Sequence, residues 1–166
     1  MIELKKVIAV LVENKPGVLA RVSSLFRRRG FNIDSLAVGT TDREDVSRMT
    51  IVVRGDEKTV EQVIKQLNKL IEVIKVSDLS ENSVSRILAL IKVSATTENR
   101  GEIIEIANIF RARIVDVARD SLIIEITGDE EKINAFTNLM RQYGIKEFVR
   151  TGIISMARGS KVVEVR

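Results

Sequence analysis

The apolar positions along the chain change period several times, and each change marks an element. Residues 6–12 (Val7-Ile-Ala-Val-Leu-Val12) form a continuous apolar run, the signature of a strand buried on both faces. Beyond a polar corner, Val18, Leu19, Val22, Leu25 and Phe26 follow helical spacing, and Gly30 ends that helix. Residues 33–38 and 47–54 read as strands, separated by the polar segment 40–47. Gly55-Asp56 caps a second helix with Val60, Val63, Ile64, Leu67 and Ile71 on one face, and 73–76 is a short fourth strand. The order is β-α-β-β-α-β, a ferredoxin-like pattern.

The pattern then recurs after a polar stretch, 79–85. Residues 87–94 read as a strand and 102–111 as a helix with Ile103, Ile106, Ala107 and Phe110 inward. Strands follow at 113–118 and 122–127. Gly128-Asp129 caps a last helix bearing Ile133, Phe136, Leu139 and Met140, Gly144 ends it, and 145–156 is strand-like. Gly17 and Phe26 precede Gly101 and Phe110 by 84 residues, while Gly55-Asp56 precedes Gly128-Asp129 by 73. The 11-residue shrinkage is expected in the hairpin between the second and third strands. The expected fold class is α+β, with two tandem βαββαβ domains: 1–78, a linker at 79–85, a second domain at 86–159 and a tail at 160–166. Two helices cover only one face of each four-stranded sheet, and each half is small for a self-sufficient core. The buried first strand therefore calls for cover from a second subunit, and a homodimer is expected.

Composition narrows the chemistry. Histidine and cysteine are both absent, which removes the commonest general base, the softest nucleophile and the usual zinc ligands. Lack of cysteine also fits a cytoplasmic location. The N-terminal residues lack a signal-peptide layout, and no apolar run is long enough to span a membrane. The net charge of +4 is spread among mixed signs, with one dense run at Arg27-Arg28-Arg29. That run reads as a solvated last helical turn, as a contact for an acidic partner protein or, more weakly, as a nucleic-acid footprint. A tandem RNA-binding domain of this topology would expose aromatics on its central strands, where Ile8, Val10, Met49 and Ile51 stand instead.

The corner Glu13-Asn-Lys-Pro-Gly-Val-Leu-Ala-Arg21 carries the most information. Asn14 is a good capping residue, Pro16 suits the first turn, and Gly17 permits close approach. Free N–H groups at such a helix start suit an anion, for example a carboxylate. The alternative is an ordinary helix start, with Asn14 a simple cap and Val18 and Leu19 core residues.

Together with Phe26, Arg29-Gly-Phe-Asn-Ile-Asp-Ser-Leu36, Ser47-Arg-Met-Thr-Ile51, Gln66-Leu-Asn-Lys-Leu70 and the closing Arg150-Thr-Gly-Ile-Ile-Ser-Met-Ala-Arg-Gly159, this corner resembles the acetohydroxyacid synthase (acetolactate synthase) small regulatory subunit. Such a chain opens with an ACT domain, a βαββαβ module that binds amino acids where two copies meet. The resemblance implies a non-catalytic chain that binds and activates a separate catalytic subunit and confers feedback inhibition by valine in branched-chain amino-acid biosynthesis. Thiamine diphosphate, Mg and FAD are expected on that catalytic partner and no cofactor on this chain. The implied effector site takes a valine carboxylate at Gly17, Val18 and Leu19, with Asn14 on the carboxylate or the ammonium group. Asn32 and Ile33 of a second subunit complete it. In the second half, 97–102 departs from the motif, because Glu102 stands where Val18 does. The second domain is therefore expected to serve assembly or the partner, and a fragment ending near Asn82 to keep effector binding. The segment 40–47 and the run Arg27–Arg29 are candidate relays to the partner. An amino-acid-sensing ACT-type transcription regulator is the alternative, although no helix-turn-helix pattern flanks the repeat.

Overall fold

The structure is a computed structural model that describes residues 4–165; Met1–Glu3 and Arg166, the outermost residues of the expected first domain and tail, lie outside the described residues. The first unit runs β1 (Leu4–Glu13), α1 (Val18–Arg29), β2 (Ile33–Thr40), β3 (Val46–Gly55), α2 (Glu57–Asn68) and β4 (Val73–Asp78). Its antiparallel sheet has the order β2-β3-β1-β4. The second unit contains β5 (Ser83–Ser94), α3 (Arg100–Ile109), β6 (Arg113–Val117), β7 (Ser121–Gly128), α4 (Glu130–Met140) and β8 (Ile145–Arg150), in the sheet order β6-β7-β5-β8. The βαββαβ pattern thus occurs twice.

Local chemistry places the helix ends. Asp56 and Asp129 accept hydrogen bonds from the N–H groups of Thr59 and Lys132 and start α2 and α4. Gly30, at φ 67°, ends α1 in the left-handed conformation. Alternation sorts the strands: Ile8, Val10 and Val12 of β1 and Met49, Ile51 and Val53 of β3 face the helices. There they meet Val18, Val22, Leu25 and Phe26 of α1 and Val60, Val63 and Leu67 of α2. The second unit repeats this, with Phe110 edge-on to Phe136 at 5.3 Å in its core.

The shrinkage of the second repeat is shared rather than confined to the hairpin. The loop between β2 and β3 covers only 41–45. In addition, α3 has 10 residues against 12 in α1, and β6 has 5 against 8 in β2. The strand-like stretch 145–156 is two strands, β8 and β9 (Ile154–Ala157), parted at 151–153.

The division of the chain also differs from the expected one. The second unit is Ser85–Thr151, and the chain from Gly152 onward belongs with the first unit. It crosses the sheet face opposite the helices. The Ile153 N–H donates to Ser35 Oγ on β2 at 2.9 Å, and Arg48 on β3 donates to the Ser155 carbonyl at 2.6 Å. Lys75 on β4 donates to the Val162 carbonyl, and Lys161 reaches the Asp78 carbonyl. A Cβ at Gly152 would run into the Leu36 carbonyl, so only glycine passes there. This strap lies on the face that carries Ala9, Leu11, Thr50 and Val52, all at most 3% exposed. From sequence, cover for β1 is expected from a second subunit; in the structure the chain's own return segment lies across that face. The stretch 79–85 is likewise only a turn, with Leu79 buried and β5 under way from Ser83.

Candidate functional site

The corner between β1 and α1 differs in detail from its expected form. The N-cap of α1 is Gly17, at φ 84° and ψ −7°, not Asn14. No side chain caps this helix, and its first turn holds no acidic residue. Pro16 lies ahead of the first turn, in the bend that Gly17 completes. Open space surrounds the position of a Cβ at Gly17. A helix start with no acid in its first turn, open space beside its N-cap glycine and the positive end of the dipole has the chemistry of a carboxylate site.

Asn14 is turned toward the hairpin between β2 and β3. Its backbone N–H donates to the Asp45 carbonyl at 2.9 Å, and its Nδ2 donates to the Glu44 carbonyl at 2.8 Å. A carbonyl only accepts, so this bond fixes which end of the amide points where. The Oδ1 atom, without a hydrogen bond among the described residues, is left as an acceptor suited to an ammonium group. The hairpin itself is braced by Arg43 on Asp45 at 2.8 Å and by Thr41 Oγ1, which accepts from the Arg43 N–H.

Val18 and Leu19 divide the two roles expected of them. Val18 is 5% exposed and belongs to the core, so only its backbone is available to a ligand; Leu19 is 44% exposed. Sequence reasoning missed the polar brace beneath the corner. Arg21 pairs with Glu72 at 2.7 Å, and Lys15 with Glu13 at 2.9 Å. Glu72 keeps a second, buried oxygen without a partner. Nothing in local sequence joins Glu72 to the corner; the antiparallel β1–β4 pairing does, through the Glu13 N–H on the Glu72 carbonyl.

Asn32 and Ile33 stand elsewhere. Asn32 is exposed and Ile33 half-buried at the start of β2. Ile33 pairs with Val53, whereas the corner touches the hairpin next to Val46. Seven residues of β3 separate these points, about 24 Å at roughly 3.4 Å per residue. One chain does not bring the two groups of expected residues together. Beside Ile33, Asp34 takes Arg54 at 2.8 Å and Lys5 at 3.4 Å. The Arg54 hydrogen bond, ahead of Lys5, holds its carboxyl below the usual range. A carboxyl lowered by folding stabilises the fold above its unfolded pKa, and that contribution disappears as pH falls through the folded value. Asp34→Asn is therefore expected to lower the urea midpoint at pH 7, and the difference from wild type to shrink as pH falls below the ordinary carboxylate range. Urea titrations across that range check it.

The equivalent corner of the second unit is filled from within. Asn99 and Thr96 exchange hydrogen bonds, and Arg100 donates to the carbonyls of Ala118 and Arg119 at 2.8 and 2.9 Å. Glu102 occupies the first turn of α3. Beside it lies the buried Tyr143 hydroxyl, with no well-formed bond; burial first, then the Glu102 carboxylate, push it up to about 12. An internal anion and a backbone already engaged disfavour a carboxylate ligand at this corner. Among the described residues no set of three or more acidic side chains converges as a metal site, and no helix is long and apolar enough to cross a membrane.

Comparison with known proteins agrees on both halves. Residues 8–75 match the family described as the AHAS small subunit-like ACT domain, and residues 86–159 match the small subunit of acetolactate synthase. The second match runs past Thr151 into the strap. The chain is 72% identical over 158 residues to a "probable acetolactate synthase small subunit" of Archaeoglobus fulgidus, covering 95% of this chain and 99% of the relative. It is 58% identical over 155 residues to the acetolactate synthase small subunit of Mycolicibacterium smegmatis, covering 93% and 91%. The crystal structure of the acetolactate synthase small subunit from Thermotoga maritima superposes with a TM-score of 0.89 at 47% identity, over 95% of this chain and 99% of that one. The chain belongs to the acetolactate synthase small-subunit family, with an ACT domain as its first half.

Proposed function

We propose that the chain is the regulatory subunit of a cytoplasmic acetohydroxyacid synthase, without catalytic activity of its own. It binds a separate catalytic subunit, raises its activity, and makes that activity sensitive to valine. The catalytic partner carries the thiamine diphosphate, Mg and FAD; this chain uses none of them. The observation that supports the effector role best is the start of α1 at Gly17, with no side-chain cap and no acid in its first turn, beside an Asn14 whose Nδ2 is held by the Glu44 carbonyl and whose Oδ1 can accept.

In this reading the effector's carboxylate takes the N–H groups of Gly17, Val18 and Leu19, replacing the long 3.4 Å bond that the Val18 N–H makes to the Lys15 carbonyl. Its ammonium meets Asn14 Oδ1, and its branched side chain meets the exposed Leu19. Asn32 and Ile33 come from a second copy. β2 is an edge strand of its sheet. Antiparallel pairing of two β2 edges about their middle carries the start of one β2 toward the corner end of the other. That offsets the separation of about 24 Å within one chain. Burial of a valine side chain contributes roughly 1.5–3 kcal/mol, so the polar contacts must supply much of the affinity.

Valine then regulates by binding two arrangements of the dimer unequally. Calorimetry with valine, paired with sedimentation of the free chain, tests the site. Binding at one effector per corner of a dimer is expected, and a chain that stays monomeric with valine bound contradicts the shared pocket.

A further inference from the structure

The outer face of α1 is unlike the other helix surfaces of this chain. Gly17, Ala20, Arg21, Ser24, Arg27 and Arg28 line a groove of about 880 Å³, closed at one side by Leu70. Their spacing puts them on one stripe, turned away from Val18, Val22, Leu25 and Phe26 in the core. The small residues lie toward the start of the stripe and the cations toward its end. α1 holds four arginines and no Asp or Glu, while α2, α3 and α4 each carry acidic residues in the first turn.

Two of the four arginines are engaged: Arg21 on Glu72, and Arg29 on the Gln66 side chain at 3.0 Å. Arg27 and Arg28 are exposed and make neither an ion pair nor a side-chain hydrogen bond among the described residues. The helix dipole favours cations in a last turn. It does not account for a concave surface without a single carboxylate.

We propose that this face docks an acidic segment of the catalytic chain. Ala20 and Ser24 seat the segment close to the helix, and the guanidinium groups of Arg27 and Arg28 take its carboxylates. The proposal rests on the regulatory-subunit reading above. A protein segment fits better than nucleic acid. Two uncommitted cations fall well short of the roughly 6–10 phosphate contacts of a tight duplex binder, and the groove holds no aromatic ring on which a base stacks. Because the groove starts at Gly17, effector and partner act on one helix, and each changes the affinity for the other by the same factor.

The test titrates purified catalytic subunit with the full chain and follows acetolactate formation at low and high salt. Arg27→Glu/Arg28→Glu is expected to raise the half-stimulating concentration at least tenfold at low salt, with a smaller change at high salt. Arg27→Lys/Arg28→Lys should stay within a few-fold of wild type, and valine calorimetry should be unchanged in both. Polyglutamate should compete with the partner at low salt. Stimulation by the Glu variant at the wild-type concentration overturns the proposal. So does loss of valine binding in that variant, which would put the effect in the fold, or competition by a short DNA duplex but not by polyglutamate. Failure of the wild-type chain to stimulate at all would instead remove the regulatory reading beneath it.

Discussion

Gly17→Asp should leave the chain folded and abolish valine binding. At φ 84° any side chain is strained, but Asp tolerates this region better than most, and open space meets its Cβ. The fold should lose on the order of 1 kcal/mol, a small part of the 5–15 kcal/mol of a typical domain. The new carboxylate caps the very N–H groups assigned to the ligand and repels its charge. Charged hydrogen bonds contribute roughly 1.5–3 kcal/mol each, so loss of two lowers affinity by at least about 100-fold. Gly17→Ala separates the causes, since it brings the same strain without the charge and should bind within a few-fold of wild type. Calorimetry on both, with thermal melts as the folding control, decides it. Equal weakening by Ala and Asp would mean that backbone shape, not anion binding, is what Gly17 supplies.

The second large effect concerns the strap. A fragment ending at Val84 removes the segment that Ser35 and Arg48 hold against the sheet. That leaves Ala9, Leu11, Thr50 and Val52 facing water. Exposure of Leu11 and Val52 alone costs about 3–6 kcal/mol at roughly 1.5–3 kcal/mol per large apolar side chain. Arg48, whose pKa burial already lowers, would lose its acceptor. The fragment should melt more than about 10 °C below the intact chain, at roughly 4 °C or more per kcal/mol for a domain of this size. Replacement of 85–151 by a short Gly/Ser linker should behave differently. The strap passes close to the point where the chain leaves the first unit, with the Arg158 N–H on the Asn82 carbonyl at 2.9 Å. This strap-retaining form is expected to stay folded and bind valine as the full chain does. Equal melting temperatures for the two shortened forms would show that the strap contributes nothing to the sheet. A fragment ending near Asn82, expected from sequence to keep effector binding, lacks the strap as well as the second unit, so its valine binding is to be compared with that of the strap-retaining form at a temperature where both are folded.

Much of this fold is legible in the sequence because its signals are local. The switch from continuous apolar residues to helical spacing marks α1, the Gly-Asp pairs mark α2 and α4, and Gly30 stops α1 through its own backbone freedom. The strap is not legible in the same way. Ile153, Ile154 and Met156 suit a strand continuing β8, and contacts distant in sequence, among them those to Ser35 and Arg48 more than 100 residues away, turn that segment onto the first unit. Asn14 misleads for a related reason. The amide that suits a helix cap suits equally a carbonyl in the next hairpin, and the β1–β3 pairing decides between them by bringing Glu44 within reach. Val18 and Leu19 are adjacent in sequence, but 100° of helical rotation sends one into the core and leaves the other half-exposed. The distance from Asn14 to Asn32 follows from strand register alone, which no single-chain pattern reveals.

The central claim is that this chain regulates a separate catalytic subunit by sensing valine at the Gly17 corner. Its most direct test measures acetolactate formation by that subunit alone, with the wild-type chain, and with Gly17→Asp, each with and without valine. The expected result is stimulation by both forms and inhibition by valine only with wild type. Valine inhibition that persists undiminished with Gly17→Asp, or stimulation by neither form, would contradict it.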